Sequence, residues 1–462
     1  MACLLAGFAS LALPPPGVAA DVTPPPFEKL RYDEDYAWLR DPSRRSGPLD
    51  RFKFIPLSAG GDVHLSIGGE VRERYEFTDD PAWGDDPQDR RGVFLQRYIL
   101  HGEMQAGERV RLFAQLFSAL ADGRAGGPSP VDENELKVEN AFLDLMFPLA
   151  KDRRLTVRGG RQEAAYGSGR IVDVREGPNV RRTFDGGRLL LTLPAWRVDL
   201  LALRPAEDDP GVFGDGTDRT RALWGIYAAG HPGRLPAGSL DLYYLGYRDE
   251  GGRFAQGTAE ETRHSLGVRL WGEAGGWDWN GEALWQWGSF GRGEIRAWTV
   301  ASLIGYTWHD APLKPRAGLS ANVASGDRDP DDPDLQTFNP LFPRGNYFSE
   351  LALLGPRNFW NFAPSLVLHP ADGVSLTTDL NFFWRLRTAD GIYAPSGRLL
   401  RQGIGTDERF VGSTLSLTAE WQVNRHLALT AIYSHFFPGD FIRATGSAED
   451  IDFHEFTATF RF

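Results

Sequence analysis

The sequence predicts an all-β protein: a single large antiparallel transmembrane β-barrel of about eighteen strands, with short periplasmic turns and long extracellular loops. Three observations lead to this fold class. From residue 61 onward, segments with alternating apolar and polar residues follow one another without a linker. No stretch of roughly 18 apolar residues, the length of a transmembrane helix, occurs in the sequence. The connections alternate between short and long, as they do in outer-membrane barrels.

The composition agrees with a wall that has one face in lipid and one in water. The chain has 462 residues with 14 Trp and 29 Phe, yet only 42% of its residues are hydrophobic. The mean hydropathy is −0.34. Alternation of lipid-facing and lumen-facing residues keeps the mean hydropathy low, while aromatic residues gather at the two membrane interfaces. The lone Cys3 excludes a disulfide framework.

The chain divides into three parts. Residues 1–20 have the pattern of a secretory signal peptide, with an apolar run over residues 4–13 and VAA before the expected cleavage point. Residues 21–60 combine a TPPP run, a charged stretch and FKFIPLSAG, which predicts an irregular periplasmic leader. Residues 61–462 form the predicted outer-membrane barrel.

Individual strands show which face meets lipid. In GVSLTTDLNFFWRLR, Leu380, Phe382 and Trp384 fall on one face. Asp379 and Arg385 fall on the other face, together with polar neighbours. The long connections are predicted at 78–91, 164–183, 206–220, 249–261, 327–357, 389–407 and 438–450. A short link at 290–293 is an exception on the side expected to carry long loops.

The last strand, HEFTATFRF, alternates up to the terminal Phe462. It is similar to the carboxy-terminal signature of outer-membrane barrels, an aromatic residue read by the barrel assembly machinery. The alternative is an ordinary edge strand that ends the chain. A free apolar edge invites aggregation, and closure removes it, so the pattern favours a barrel in contact with outer-membrane lipid and lipopolysaccharide.

Arginines concentrate on the predicted lumen face. An arginine facing lipid at the midplane costs on the order of 2 to 4 kcal/mol, so inward placement is favoured. Rings of arginine select anions, and the planar guanidinium suits carboxylates. Interspersed acids, Glu70, Asp379 and Glu455, are expected to orient the arginines. Alternatively, these groups only pair with one another and stiffen the barrel. The arginines assigned inward by alternation are Arg72, Arg74, Arg97, Arg188, Arg385, Arg387 and Arg461.

Residues 159–186, GGRQEAAYGSGRIVDVREGPNVRRTFDG, predict a long loop that folds into the pore. The preceding strand has two possible phases, with either Arg158 or Arg161 inward, because Gly159 and Gly160 permit a bulge. Arg181 and Arg182, with Arg170 and Arg175, are expected to meet Asp173, Glu176 and Asp185. These arginines would hold the loop in shape and present charge to an anion. The alternative is a solvated charged loop with no transport role.

Several separated motifs resemble the alginate export family of outer-membrane porins. They are RYDEDYAWLRDP at 31–42, KFIPLS at 53–58, IGGEVRERYE at 67–76, the GRQE…YGSGR…REGPNVRRTFDG block, and ASGDRDPDDPDLQTFNPLFPRGNYF at 324–348. The resemblance runs from about residue 28 to the carboxy terminus. It implies a monomeric barrel of roughly eighteen strands with an arginine-rich constriction through which a polyuronate leaves the cell, and it favours Arg161 as the inward residue.

The loop SGDRDPDDPD carries Asp327, Asp329 and Asp331 at alternating positions, a spacing that suggests a structural calcium ion. It lacks the glycine of an EF-hand, and Phe338 stands where the bidentate glutamate would be. A solvated loop, or one paired with Arg344 and Arg357, is the favoured interpretation, with no metal or other cofactor. Aromatic residues in FNPLFPRGNYF would anchor the loop or touch sugar rings.

Other functional classes receive little support. The sequence has no G-x-S-x-G, no H-E-x-x-H and no cysteine-based site, so an enzyme is not expected. A net charge of −12 and a pI near 5.3 disfavour nucleic-acid binding. Two transport hypotheses stay open: export of an acidic polysaccharide such as alginate, and a general diffusion or uptake channel for small anionic or neutral solutes.

Overall fold

A computed structural model describes residues 25–233 and 237–462. The expected signal peptide and Cys3 lie outside these residues. Eighteen strands form the barrel wall. They are β1 (Val63–Asp79), β2 (Val93–Ala106), β3 (Val110–Asp122), β4 (Asn134–Ala150), β5 (Arg153–Gln162), β6 (Phe184–Thr192), β7 (Trp196–Pro205), β8 (Arg221–Gly230), β9 (Gly238–Phe254), β10 (Gly257–Ala274), β11 (Trp277–Phe290), β12 (Gly293–Thr307), β13 (Arg316–Ala324), β14 (Phe359–Ala371), β15 (Val374–Arg385), β16 (Phe410–Gln422), β17 (Leu427–Pro438) and β18 (Ile451–Arg461).

The sheet closes on itself, as the sequence predicted. Each strand pairs antiparallel with the next, and β1 pairs with β18 from Glu70 opposite Arg461 to Asp79 opposite Asp452. The terminal Phe462 continues this ladder, since its backbone N–H donates to the carbonyl of Gly69 and its carbonyl accepts from the Gly69 N–H. An all-antiparallel barrel of eighteen strands is therefore confirmed, and no apolar edge is left in the wall.

The outer face is apolar. Leu116, Leu143 and Leu266 leave 41%, 42% and 58% of their surface exposed, although they lie in the middle of paired strands. Trp360 and Trp384 stack on this surface with ring centroids 4.0 Å apart. So much exposed aliphatic and aromatic surface would be costly in water but matches a lipid-facing wall.

Short and long connections lie at opposite ends of the barrel, with two exceptions at the long-loop end. The predicted link at 290–293 is a tight turn between β11 and β12. The predicted long loop at 249–261 is wrong, because the hairpin pairing of β9 and β10 continues to Phe254 opposite Gly257. These two strands therefore extend farther beyond the membrane than the alternation of residues indicated. At the other end, Gly275 and Gly276 have φ of +57° and +87°, which favours glycine in the turn between β10 and β11.

The interior of the barrel is filled by inserted segments. Residues 163–183 and 325–358 meet inward side chains of the wall in one apolar cluster, which includes Val172, Tyr247 and Phe342. A second cluster lies among the long loops around Trp83 and Phe441. Phe441 belongs to helix α1 (Asp440–Thr445). The lumen is thus narrowed by folded loops with their own core.

The leader forms a chain of short 3-10 turns and one brief strand. The turns are Arg31–Asp33, Ala37–Arg40, Pro42–Arg44 and Asp50–Phe52, and the strand Ile55–Pro56 pairs with β1. Another 3-10 turn, Pro81–Gly84, follows β1, and a small hairpin joins Ile392–Tyr393 to Leu399–Arg401. Within the described residues, no helix has the length and apolar character required to cross a membrane.

Candidate functional site

The site is built around residues 163–183, here called the constriction loop, which connects β5 to β6 through the lumen. Arg72 projects inward from β1 and holds the far side of this loop. Its guanidinium donates to the carbonyls of Glu176 and Pro178 at 3.0 and 3.2 Å, and to Asn179 Oδ1 at 3.1 Å. Asn179 in turn donates to three backbone carbonyls, including that of Asp132. Arg72 therefore positions the loop across the pore.

The carboxylate of Glu176 ties the loop to its surroundings. Arg97 of β2 donates to Glu176 Oε1 at 2.5 Å, and Arg181 donates to Glu176 Oε2. Arg181 also pairs with Glu163 at 2.5 Å, at the start of the same loop. The side chains of Arg97 and Arg181 are completely or almost completely buried. Of these two predicted pore arginines, Arg97 thus joins the wall to the loop, and Arg181 joins two parts of the loop to each other.

Glu70 collects three guanidinium groups at the seam of the barrel. Arg97 pairs with Glu70 Oε1 at 2.7 Å, and Arg461 of β18 pairs with Oε2 at 2.8 Å. The third partner, Arg31, comes from the leader and lies 2.5 Å from Oε2. Three charge-assisted bonds on one buried carboxylate make this a fixed structural centre.

Arg74 lies one inward position farther along β1. It donates to Glu76 at 3.2 Å and to the carbonyl of Gly177 at 2.8 Å. Glu455 of β18 completes the group at 3.4 Å. Arg74, like Arg72, therefore connects the wall to the constriction loop, but with its charge compensated by acids.

The structure decides which of Arg158 and Arg161 points into the lumen at the end of β5. Arg158 lies inward opposite Arg188 of β6, and it pairs with Asp144 at 2.8 Å. Arg161 and Asp185 pair with each other at 2.8 Å. In β6, Asp185 shares the face of the exposed Leu189, so this pair lies on the outer side of the wall. The inward position therefore belongs to Arg158, against the assignment that the family resemblance favours.

Backbone geometry explains why alternation alone left that choice open. Gly160 has φ of +132°, and a Cβ there would lie only 2.2 Å from the carbonyl oxygen of Ala141. Only glycine allows the neighbouring strand to approach so closely. Arg188 faces inward and pairs with Asp199 at 2.6 Å, with its guanidinium over the ring of Tyr166.

At the constriction, Arg72 and Arg182 form no ion pair with a carboxylate among the described residues. Arg72 donates only to carbonyl and amide oxygens. Arg182, in the constriction loop, donates to the carbonyls of Asp173 and Pro343 at 3.3 and 3.1 Å. Burial lowers the pKa of Arg182 well below its usual range, because desolvation disfavours the charged form.

Arg385 and Arg387 lie away from the constriction loop and its arginines. Arg385 ends β15 and donates to the carbonyls of Thr388, Asp390, Gly403, Thr406 and Glu408. It is fully buried, so it organises the loop over 386–409. Arg387 lies beyond the end of the strand and is partly exposed. Asp379 faces inward on β15, and its Oδ1 is buried without a hydrogen-bond partner in the described structure.

In the aspartate-rich loop, the alternating aspartates accept hydrogen bonds from backbone N–H groups of the same loop. Asp327 Oδ1 accepts from the N–H of Asp329, and Asp329 Oδ1 accepts from that of Asp331, both at 3.2 Å. No group of three or more His, Cys, Asp or Glu side chains among the described residues could hold a metal ion. Phe338 and Phe342 are buried in the interior cluster, so they anchor the loop.

Part of the leader enters the lumen, which the alternation of apolar and polar residues could not predict. Tyr32 is buried between Phe113 of β3 and Phe142 of β4, with ring centroids at 5.9 and 5.2 Å. Lys29 pairs with Asp173 of the constriction loop at 2.5 Å. The RYDEDY motif was the only sign of this in the sequence. A polar cavity of about 280 Å³ lies between the leader and the wall, next to Tyr32 and Arg111.

Comparison with solved structures shows the same fold in several porins. OpdK of Pseudomonas aeruginosa, solved with vanillate, has a TM-score of 0.58 at 11% identity, covering 86% of this chain and 98% of that chain. OccK2 (OpdF) of the same organism, in complex with glucuronate, gives 0.55 at 11% identity with the same coverage. OccAB1 of Acinetobacter baumannii gives 0.57 at 12% identity, covering 86% of this chain and 96% of its own.

At the level of sequence, a family model described as alginate export matches residues 63–453. This range runs from the first residue of β1 into β18 and includes the constriction loop. The leader, residues 21–60, precedes this range. No curated protein matches this chain.

Proposed function

The chain belongs to the alginate export family, and from this premise we propose that it is an outer-membrane channel giving passive passage to an anionic polysaccharide, an alginate-like polyuronate. The wall supplies a closed path across the membrane, and the constriction loop supplies the narrow, positively charged point. Transport, not catalysis, is the role that this arrangement supports.

The observation that carries the proposal is the uncompensated charge of Arg72 and Arg182. Most other arginines near the constriction are neutralised by a carboxylate within 4.0 Å, such as Glu70 or Glu176. Arg72 and Arg182 instead face only neutral oxygens. A cation held in a low-dielectric lumen without its own counter-ion produces a positive potential, which attracts anions and disfavours cations.

The chemistry of a polyuronate fits this arrangement. Each sugar residue of such a polymer carries one carboxylate, which the planar guanidinium of arginine can bind through two parallel hydrogen bonds. Nearby acids such as Glu176 already neutralise neighbouring guanidinium groups, including that of Arg181, and would compete with the polymer there. Competition of this kind keeps each contact weak, which conduction requires because the polymer must also leave.

Uptake or diffusion of small anionic or neutral solutes is the second candidate. The filled lumen favours it, because loops 163–183 and 325–358 form a packed core inside the barrel. The porins of the same fold include one solved with glucuronate, a single uronate unit. A small carboxylate needs less displacement of these loops than a polymer does.

Recording from the purified chain in planar bilayers tests the proposal. We expect a reversal potential that shows anion selectivity in a KCl gradient. We also expect oligouronates added on the periplasmic side to reduce the chloride current more than neutral glucans of the same length. Cation selectivity, or equal reduction by charged and neutral oligomers, would contradict the proposal. Reduction by monomeric glucuronate but not by oligouronates would favour the second candidate.

A further inference from the structure

The leader occupies the lumen instead of hanging free below it. Arg31 and Tyr32 leave only 4% and 1% of their surface exposed. The phenol of Tyr32 donates to the carbonyl of Glu163 at 2.7 Å, at the first residue of the constriction loop. Its own carbonyl accepts from Arg111 of β3 at 2.7 Å. Residues 29–32, here called the latch, are therefore enclosed by the wall and the loop.

The latch is bound to the constriction loop at three separate places. Lys29 pairs with Asp173 near the middle of the loop at 2.5 Å. Arg181, near the end of the loop, donates to the carbonyl of Lys29 at 2.8 Å. The third contact is the hydrogen bond of Tyr32 at the start of the loop. Contacts at the beginning, middle and end of one loop fix its position more firmly than the wall alone.

The two ends of the latch are attached to different parts of the wall. Just before it, Phe27 lies 5.8 Å from His426, in the turn between β16 and β17, and Arg425 lies over the Phe27 ring. At its other end, Arg158 of β5 lies 4.3 Å from the centre of the Tyr32 ring. The segment therefore runs from the β16–β17 turn to the inner faces of β3, β4 and β5.

Charge complementarity explains why this segment enters a lumen rich in arginine. Lys29 and Arg31 are basic, and each is received by a buried carboxylate, Asp173 and Glu70. The Lys29 side chain is 38% exposed, so its ion pair contributes less. Removing Arg31 would leave Glu70 with one partner fewer in a site that excludes water. Breaking a buried pair in this way is far more costly than breaking an exposed one.

We propose that the latch is a gate, which holds the constriction loop in its narrow position and has to withdraw before a polymer passes. The inference rests on the proposed channel function and adds a regulatory element that lies outside the matched family region. It assigns the latch to the periplasmic side, because Phe27, just before it, contacts His426 in the short β16–β17 turn.

Paired cysteines in the full chain test this gate, since the only native cysteine, Cys3, precedes the expected mature sequence. Lys29→Cys with Asp173→Cys places two thiols where the native side chains touch. A cleavable bifunctional thiol reagent then bridges the pair. We expect bridging to lower the mean single-channel conductance at least about threefold, and cleavage of the bridge to restore it.

Arg40→Cys with Asp62→Cys is the matched control. This native pair also joins the leader to the barrel region, at 3.4 Å, but both side chains are more than half exposed. Bridging it should leave the conductance unchanged. If bridging Lys29→Cys to Asp173→Cys also changes nothing, or if both bridges reduce conductance equally, the gate is refuted.

A second variant avoids the need for chemical bridging. Arg31→Ala with Tyr32→Ala removes the two buried anchors of the latch and should raise the open probability, and a synthetic peptide of residues 25–42 added on the periplasmic side should lower it again. Unchanged open probability in a correctly folded barrel contradicts the gate. Ion selectivity is read in the same recordings. A channel that responds to bridging but is not anion-selective refutes the proposed function alone, whereas an anion-selective channel that ignores bridging refutes the gate alone.

Discussion

Arg31 of the leader and Glu70 of β1 form a buried ion pair with 2.5 Å between Nη2 and Oε2, across 39 positions of sequence. The same carboxylate accepts from Arg97 and Arg461. One acid thus joins the leader, two neighbouring strands and the last strand of the barrel.

Glu70→Ala should destabilise the barrel strongly, because three guanidinium groups would then face one another without their shared counter-charge. We expect a loss of about 3–5 kcal/mol in the free energy of unfolding, the usual cost of breaking a buried pair. The measurement is the temperature or denaturant concentration at which the folded barrel loses its characteristic gel mobility. Glu294→Ala is the control, since its pair with Arg296 is exposed and should contribute at most about 1 kcal/mol. Equal losses in both variants would contradict the central role of Glu70.

Arg72→Ala combined with Arg182→Ala should weaken anion selectivity, because it removes two charges at the constriction that form no ion pair with a carboxylate. We expect the anion-to-cation permeability ratio to fall by about twofold or more. The reversal potential in a salt gradient provides the measurement. Arg161→Ala is the matched control, since Arg161 pairs with Asp185 on the outer side of the wall. Selectivity that depends on Arg161 and not on Arg72 and Arg182 would reject these two as filter residues.

Arg385→Ala should loosen the loop over 386–409 while the strands stay paired. Its guanidinium donates to five backbone carbonyls of that loop, which would be left buried without a donor. We expect the free energy of local opening to fall by about 2–4 kcal/mol, seen as faster proteolysis of the loop in the folded barrel. Arg409→Ala removes one bond from an exposed side chain and serves as control. Undiminished protection of the loop in Arg385→Ala would show that other contacts hold it.

The loop that contains Asp327 should become less stable as the pH rises. Burial raises the pKa of Asp327 from 3.8 to about 6, and the neighbouring Asp390 adds to this. The folded state therefore favours protonated Asp327, so its contribution to stability is complete below about pH 3.8 and is lost as the pH rises through about 6. Hydrogen exchange of residues 325–342, corrected for intrinsic rates, should be slower at pH 5 than at pH 7.5.

Asp327→Asn should remove most of that pH dependence, whereas Asp331→Asn should keep it, because Asp331 is exposed. The same dependence in both variants would assign the titration to another group, such as Asp390.

Alternation was sufficient to predict the wall, because a strand with one face in lipid must repeat every second residue. Leu380 and Asp379 illustrate this, since the first is exposed outside and the second lies inside. Alternation does not limit how far a strand continues past the membrane, so the tall hairpin of β9 and β10 was assigned as a loop. The unusual backbone at Gly160 also prevented alternation from predicting that Arg158, and not Arg161, points inward.

The contents of the lumen were harder to predict than its lining. Periodicity assigned Arg72 and Arg385 to the same face, but not their opposite tasks, one across the pore and one within an extracellular loop. The contact between Arg31 and Glu70 depends on where the leader folds, and local pattern carries no information on so distant a pair. The family motif RYDEDY marked the segment without giving its place.

The position of Glu70 has a consequence for biogenesis. Arg461 reaches Glu70 only after β18 has paired with β1, so a partly inserted sheet offers the leader an incomplete docking place. The amino-terminal segment therefore finds its complete set of partners only in the closed barrel. Closure of the wall and seating of the leader therefore depend on one shared carboxylate.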